Sequence, residues 1–342
     1  MEKIDIKSMT IEEIGQWLFS VGEPSYRAEQ IFVWLQSGVP NFEEMSNLPK
    51  KLRESLCSNF CIKDVKIEKR LESCIDNTVK YLYRLYDGQL IESVLMKYNH
   101  GYSVCISTQV GCKMGCRFCA SGLGGFVRNL SASEMLSQVR MAEIDNDIRV
   151  SNIVMMGMGE PLDNYDNSIR FLKLVSHPRG MNVGLRHISL STSGLVPKIK
   201  ALMEEGLPIT LSISLHAPND KIRSSTMPVN DRWGVDELIK TCKEYVGKTG
   251  RRISFEYAVI ENVNDSEECA AELAKKLRGM LCHLNLIPAN PVVENNFRSP
   301  DRRAVERFCE RMNKSGINTT VRRTLGADIN ASCGQLRRGN LK

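Results

Sequence analysis

The chain has 342 residues, 42% hydrophobic and 25% charged, with 46 Lys/Arg against 40 Asp/Glu and a net charge of +6. That size allows one large domain, or a large and a small one, and the composition excludes disordered and fibrous classes. No apolar run approaches the roughly 18 residues of a membrane span, and Met1-Glu2-Lys3-Ile4-Asp5 lacks the apolar core of an export signal, so a cytoplasmic protein with no membrane partner is expected.

Residues 1–60 read as a small N-terminal helical accessory domain. Thr10-x-x-Glu13 is a capping box, followed by Ile11, Ile14, Trp17 and Leu18 at helical spacing. A second helix covers Tyr26 to Leu35, with Ile31, Trp34 and Leu35 on one face, and a third element begins at Leu48-Pro49. Residues 61–97 form a strand-rich connector, because Val79, Tyr81 and Tyr83, then Ile91, Val94 and Met96, alternate like a hairpin.

From residue 98 to 342 the pattern becomes strand, loop and helix in repetition. Strands are expected at Val104–Ser107, Ile153–Met156, Ile188–Ser191, Ile209–Leu215, Ile253–Val259 and Leu284–Ile287. Helices open between them at the capping boxes Ser131-x-x-Glu134 and Asp265-x-x-Glu268. Strands alternating with helices imply parallel βα units, which need crossover connections. Six units are too few for a closed eight-fold barrel, so an α/β, open (β/α)6 partial barrel is expected. Its site should lie at the C-terminal strand ends. The stretch from Leu325 to Lys342 has neither period and reads as a tail that carries Cys333. From Asn296 onward there are eleven Lys/Arg against four Asp/Glu, enough for the chain's whole positive excess. A basic face of that kind suits a phosphate backbone.

Twelve cysteines in a chain with no export signal are expected to be thiols. Cys57, Cys61, Cys74, Cys242, Cys269, Cys282 and Cys309 are scattered and read as ordinary core residues. The string Gly111-Cys112-Lys113-Met114-Gly115-Cys116-Arg117-Phe118-Cys119 is different. It offers three thiolates in a glycine-bearing loop directly after a strand. Four cysteines hold a cubane cluster, so three would leave one iron open to a substrate. A structural zinc is the competing reading, but zinc sites more often pair two C-x2-C units and no second pair exists.

The C-x3-C-x2-C spacing, with an aromatic before the last cysteine, resembles the radical S-adenosylmethionine superfamily. Further strings narrow the resemblance: Met156-Gly157-Met158-Gly159-Glu160-Pro161-Leu162, Ser191-Thr192-Ser193-Gly194, Ser214-Leu215-His216-Ala217-Pro218-Asn219, Leu286-Ile287-Pro288-Ala289-Asn290-Pro291 and the terminal Asp328-Ile329-Asn330-Ala331-Ser332-Cys333-Gly334-Gln335-Leu336-Arg337-Arg338. Together they are similar, over essentially the whole chain, to the adenine-C2 RNA methyltransferase family known as RlmN.

The resemblance implies a radical S-adenosylmethionine barrel with a catalytic tail. It implies a 4Fe–4S cluster on Cys112, Cys116 and Cys119, with S-adenosylmethionine on its open iron. Gly159, Glu160, Ser191, Ser214, Leu215, His216 and Asn290 would bind that cofactor. Cys333 would carry the methyl group, Cys105 would be the second catalytic cysteine, and Glu92 matches the family's proton acceptor, a role a thiolate could also fill. In the implied route Cys333 is methylated by displacement, and a radical from a second S-adenosylmethionine removes hydrogen from that methyl. The carbon then adds to adenine C2, and Cys105 releases the product by forming a disulfide with Cys333. The implied substrates are an adenosine in the peptidyl-transferase region of 23S rRNA and the adenosine 3′ of the tRNA anticodon. A monomer is expected, served by an external electron donor such as flavodoxin.

Two alternatives remain open at this level. The related adenine-C8 family known as Cfr shares the three-cysteine motif and the tail cysteine, although alanine is expected there in place of Pro161. A non-catalytic RNA-binding protein with a structural metal would need a fourth ligand and no cofactor pocket.

Overall fold

A computed structural model describes residues 3–290, 292 and 297–337. Met1 and Glu2, Pro291, Asn296, and Arg338 and Lys342 of the basic tail lie outside the described residues.

The N-terminal segment opens with a short strand, Ile4–Asp5 (β1), and three helices, Ile11–Ser20 (α1), Arg27–Gln36 (α2) and Lys50–Asn59 (α3). The Thr10 hydroxyl accepts the Glu13 N–H while the Glu13 carboxylate accepts the Thr10 N–H, so the expected capping box forms. Ile14, Leu18, Ile31, Leu35, Leu52 and Leu56 are buried. Phe60–Cys61 (β2) then pairs in parallel with β1. Buried Lys7 ties this segment to the rest of the chain, its Nζ lying 2.9 Å from both Asp64 Oδ1 and Ser137 Oγ.

Next comes an antiparallel run, Lys66–Glu72 (β3), Val79–Arg84 (β4), Leu90–Tyr98 (β5) and Gly101–Cys105 (β6). The apolar alternation marks β4 and β5 but not β3, whose Lys66-Ile67-Glu68-Lys69-Arg70-Leu71-Glu72 is mostly charged and mostly exposed. Two short strands, Gln109–Val110 (β7) and Arg128–Asn129 (β8), pair antiparallel and frame the cysteine loop. Ser131 and Glu134 make their reciprocal cap at the start of Ala132–Asn146 (α4).

The parallel part is made of Val150–Met155 (β9), Tyr165–Val175 (α5), Ile188–Thr192 (β10), Val196–Glu204 (α6), Thr210–Ser214 (β11), Asp220–Thr226 (α7), Val235–Thr249 (α8), Ile253–Val259 (β12), Glu267–Leu277 (α9), Cys282–Pro288 (β13), Arg302–Lys314 (α10) and Thr319–Val321 (β14). One ten-stranded sheet runs β14-β13-β12-β11-β10-β9-β6-β5-β4-β3. The six expected parallel strands are present, and β14 adds a seventh that three residues were too few to signal. The strands of residues 66–98 continue the same sheet through the β5–β6 and β6–β9 pairings. The cap of α9 is corrected by one residue: Ser266, not Asp265, accepts from the N–H three positions on. Among the described residues no helix is long and apolar enough to cross a membrane.

Candidate active site

The C-terminal ends of the parallel strands open into a cleft of about 1020 Å³. Its wall holds Cys112, Cys116 and Cys119, together with Gly159, Glu160, Ser191, Ser214, His216 and Asn290. Parts of five separate strand-end loops thus meet at one place, as the motif strings required.

The cysteine loop is shaped by its glycines. Gly111 has φ +75°, and a Cβ there would lie 1.7 Å from the Gly125 carbonyl, so no side chain fits where the loop leaves β7. The loop is then held by Arg117 N–H to Thr226 O at 2.9 Å and by Cys119 N–H to Cys116 O at 3.1 Å. Burial pushes the Cys112 thiol up to about 12 and drives Cys116 and Cys119 upward as well, with neighbouring cysteines adding to the effect. Such thiols ionise only where a positive centre compensates them. Among the described residues no three His, Cys, Asp or Glu side chains converge tightly enough to hold a single ion. In a cubane each thiolate would take a different iron.

Glu160 is locked by its neighbours. Its carboxylate accepts Ser193 N–H at 2.7 Å and Leu162 N–H at 3.0 Å, and its own N–H donates to Gln109 Oε1 at 2.9 Å. Burial raises its pKa, and these backbone donors oppose the shift. Gly159, at φ +104°, passes so close to Gln109 that a Cβ would sit 2.6 Å from that residue's Cβ. His216 has φ +56° and its Nδ1 accepts the Ala258 N–H at 2.8 Å. That bond requires the neutral imidazole, and burial drives the ring's pKa down to about 3. Phe118 of the cysteine loop meets the His216 ring edge-on at 4.9 Å.

A second, narrow cavity adjoins the first and is bounded by Met96, Tyr98, Cys105, Arg322 and Arg323. Cys333, Asn290, Met156, Ile287 and Arg322 line both cavities. Cys333 therefore stands at their junction, and Cys105 lines the second cavity with it. Asn290 Nδ2 donates to the Cys333 carbonyl at 3.0 Å. Burial pushes the Cys105 thiol up to about 12, against the pull of the Arg322 guanidinium. All twelve cysteines are free thiols, Cys105 and Cys333 included.

Two of the expected site residues are not brought to either cavity. The Leu215 side chain is fully buried, and its carbonyl serves as acceptor for Arg223 Nε at 3.0 Å. Glu92 is fully buried behind the tail, paired with Lys80 at 3.0 Å.

Three residues were missed. Arg223, also fully buried, gathers the loops after β10 and β11 by donating to Leu215 O, Ser214 O, Ser193 O and Asn230 Oδ1. Burial lowers its pKa to about 10. Arg322 follows directly on β14 and lies among the charges of Cys333, Glu256 and Cys105. Glu256 lines the first cavity and accepts from Asn285 Nδ2 at 2.7 Å. An arginine four residues after the Asn219 helix cap and an Arg-Arg pair after a short strand were the available signals.

The chain is similar to known proteins. Residues 106–274 match the radical SAM superfamily model, and residues 4–62 match the ribosomal RNA large subunit methyltransferase N-terminal domain. A protein of Alkaliphilus oremlandii, designated a probable dual-specificity RNA methyltransferase RlmN, is 55% identical across all 342 residues and 100% of both chains. One of the same designation from Clostridium tetani is 51% identical, covering 99% of this chain and 97% of its own. The crystal structure of a radical SAM methyltransferase from Sphaerobacter thermophilus superposes with a TM-score of 0.91 at 44% identity, covering 97% of this chain and 99% of that one.

Proposed function

The chain belongs to the RlmN family of radical S-adenosylmethionine RNA methyltransferases, and on that footing we propose that it methylates adenosine at C2 in both 23S rRNA and tRNA, through a methyl group carried on Cys333. C2 lies between two ring nitrogens and is too electron-poor to attack a methyl sulfonium. A radical route avoids that barrier. The observation that carries the reading is the position of Cys333 on the wall of both cavities, one holding the three-cysteine loop and the other Cys105.

Cys112, Cys116 and Cys119 would hold a 4Fe–4S cluster, since burial and neighbouring acidic groups keep their thiols protonated unless a metal compensates the charge. When bound, the cluster and S-adenosylmethionine supply the radical that removes a hydrogen from the carried methyl. The chain's own residues do the rest. Glu160 and the loops of Ser191, Ser214, His216 and Asn290 bind and orient the cofactor. Cys333 accepts a methyl by displacement, for which a thiolate is suited. The target base occupies the second cavity, where Arg322 and Arg323 can meet its phosphates. Cys105, once ionised, would take the C2 proton while the adduct's unpaired electron leaves to the bound cluster. The Cys105 sulfur, deprotonated again, would then bond to the Cys333 sulfur as the Cys333 S–C bond breaks. The released carbon would take up a proton to complete the methyl group, leaving a disulfide for an external reductant. Glu92 is less suited to that proton, since it lines neither cavity. The electron donor would be a flavodoxin-type protein.

Mass spectrometry of rRNA and tRNA from cells with and without the gene tests the reading. Loss of 2-methyladenosine from both is expected. Loss from rRNA alone removes the tRNA half of the proposal, and loss of 8-methyladenosine instead selects the C8 chemistry. In vitro, Cys105→Ala should accumulate a covalent protein–RNA adduct; clean turnover would remove Cys105 from its role.

A further inference from the structure

Two charged side chains sit where strands β4 and β5 should be apolar. Lys80 is 1% exposed and Glu92 is fully buried. In the strand register Lys80 faces Val94 and Leu82 faces Glu92, so the two are diagonal neighbours on one face of the sheet. Lys80 Nζ lies 3.0 Å from Glu92 Oε1. A buried ion pair is poor evidence of stabilisation, because apolar residues of similar volume generally serve as well. A role in specifying structure has to be sought in what else the pair touches.

Among the described residues, the further side-chain hydrogen bonds of the pair run to the tail, and the Arg337 charge of that tail acts on both members. Lys80 Nζ donates to the Asn330 carbonyl at 3.0 Å, and Glu92 Oε2 accepts the Arg337 N–H at 2.9 Å. These backbone groups stand three residues before and four residues after Cys333. The segment between them has no strand or α-helix of its own. A Ser332–Gln335 turn shapes it from within, and Asn290, Ala120 and Ser121 hold its carbonyls on the side facing the cluster loop, which leaves the buried pair to hold its two ends from the sheet side. We propose that Lys80 and Glu92 are positioning residues, a buried two-point clamp that grips the tail on either side of Cys333 and fixes its sulfur at the junction of the two cavities. The lysine supplies a donor to one side of the loop and the glutamate an acceptor to the other. Their mutual attraction holds both side chains in the gripping geometry. The functional half of this inference rests on Cys333 as methyl carrier.

Hydrogen–deuterium exchange of the full-length protein tests it directly, on Lys80→Met and Glu92→Gln. Exchange in peptides over residues 325–337 is expected to accelerate roughly tenfold or more in both under conditions where the sheet stays folded, and to reach full exchange well before peptides over β9 to β13, whose exchange follows global unfolding. Mass spectrometry of the same preparations should find less methylated Cys333 in both variants and no protein–RNA adduct in Glu92→Gln. A tail as protected as in the parent overturns the clamp whatever the activity. An adduct retaining its C2 hydrogen in Glu92→Gln but not in Lys80→Met overturns it in favour of Glu92 as base. A released tail together with a parent protein that never carries methyl on Cys333 leaves the clamp standing and removes the methyl-carrier assignment. Should both core variants unfold, Asp328→Ala decides. Its exposed carboxylate ties the tail from outside, to Ser73 Oγ at 2.7 Å and Cys74 N–H at 2.9 Å. With the clamp intact that variant should loosen the tail only slightly; full release of the tail would place the holding at the surface and overturn the proposal.

Discussion

The parallel and antiparallel halves of the sheet build the site by different means. On the parallel side, each loop carries its chemistry within a few residues of a strand end, and backbone groups fix it. Glu160 is held by N–H groups at 162 and 193, and His216 by the N–H of Ala258. On the antiparallel side, β4 and β5 offer no loop to the cavities. They hold a tail that begins some 250 residues later, through Lys80, Glu92 and the Asp76 carboxylate on Gly326 N–H. The first half is a rigid receptor. The second is a mounting for a segment that must be placed accurately, because small misplacements of a reacting group cost large factors in rate.

Breaking the receptor should have the largest effect. Arg223→Met strips donors from three carbonyls and the Asn230 side chain in a fully buried setting. At 1–3 kcal/mol for each group left unsatisfied, a loss of about 5 kcal/mol is expected. Urea titration should show it, and equilibrium dialysis should show weaker S-adenosylmethionine binding, because the loops after β10 and β11 lose their common anchor.

Breaking the mounting comes next. Lys80→Met leaves Glu92 buried without its nearest counter-charge, the Arg337 charge alone remaining to offset it, which should cost about 3 kcal/mol. Burial already raises the Glu92 pKa and lowers that of Lys80, so each depends on the other to stay charged. The double variant Lys80→Met/Glu92→Met removes both charges together and should recover most of that loss in global stability. Its tail should remain loose. A double variant as unstable as the single one would mean the pair serves the core and not the tail.

The same contrast explains what the sequence discloses. The cysteine loop, the glycines beside Glu160 and the Ser131 cap are local patterns, each complete within about ten residues, and they are legible. Lys80 is not. It lies between Val79 and Tyr81 in an alternating run, where alternation assigns it to solvent. Both faces of β4 are in fact covered: Tyr81 and Tyr83 turn to α4, with Tyr81 Oη donating to Asp145 at 2.6 Å, while Lys80 turns to the tail. A charge is buried there only because a distant segment supplies a carbonyl. Glu92, read from the resemblance as a proton acceptor, turns out to be held by the same distant segment. Arg223 and Arg322 escape notice for a related reason, since their partners are backbone carbonyls and neighbouring charges with no sequence signature of their own.

Acid should sharpen the comparison on the receptor side. His216 is neutral in the fold with a pKa near 3, against 6.5 when exposed. Its contribution is therefore present above about pH 6.5 and is lost as the pH falls toward 3. At pH 5 the loss is about 2 kcal/mol. Urea midpoints at pH 7.5 and pH 5 should differ by that amount in the parent and by much less in His216→Asn, whose amide oxygen can still accept from Ala258 N–H and which tolerates the positive φ. An equal acid loss in both proteins would assign the effect to buried carboxylates instead.

The smallest expected effect probes the place where the two halves touch. Ser121 lies just past the cysteine loop, and its Oγ donates to the tail carbonyl of Leu336 at 2.7 Å, one turn from Ala120 N–H to Gly334 O at 2.7 Å. Ser121→Ala should cost about 1 kcal/mol, and it should cost it locally. Global unfolding should barely move, because the tail opens before the sheet does. Amide exchange at 334–337 should rise several-fold while the cysteine loop stays protected by its own glycine turns. If the loop and tail loosen together, receptor and mounting are one cooperative unit, and the methyl-bearing residue would then be positioned by the cluster loop as much as by the buried pair beneath it.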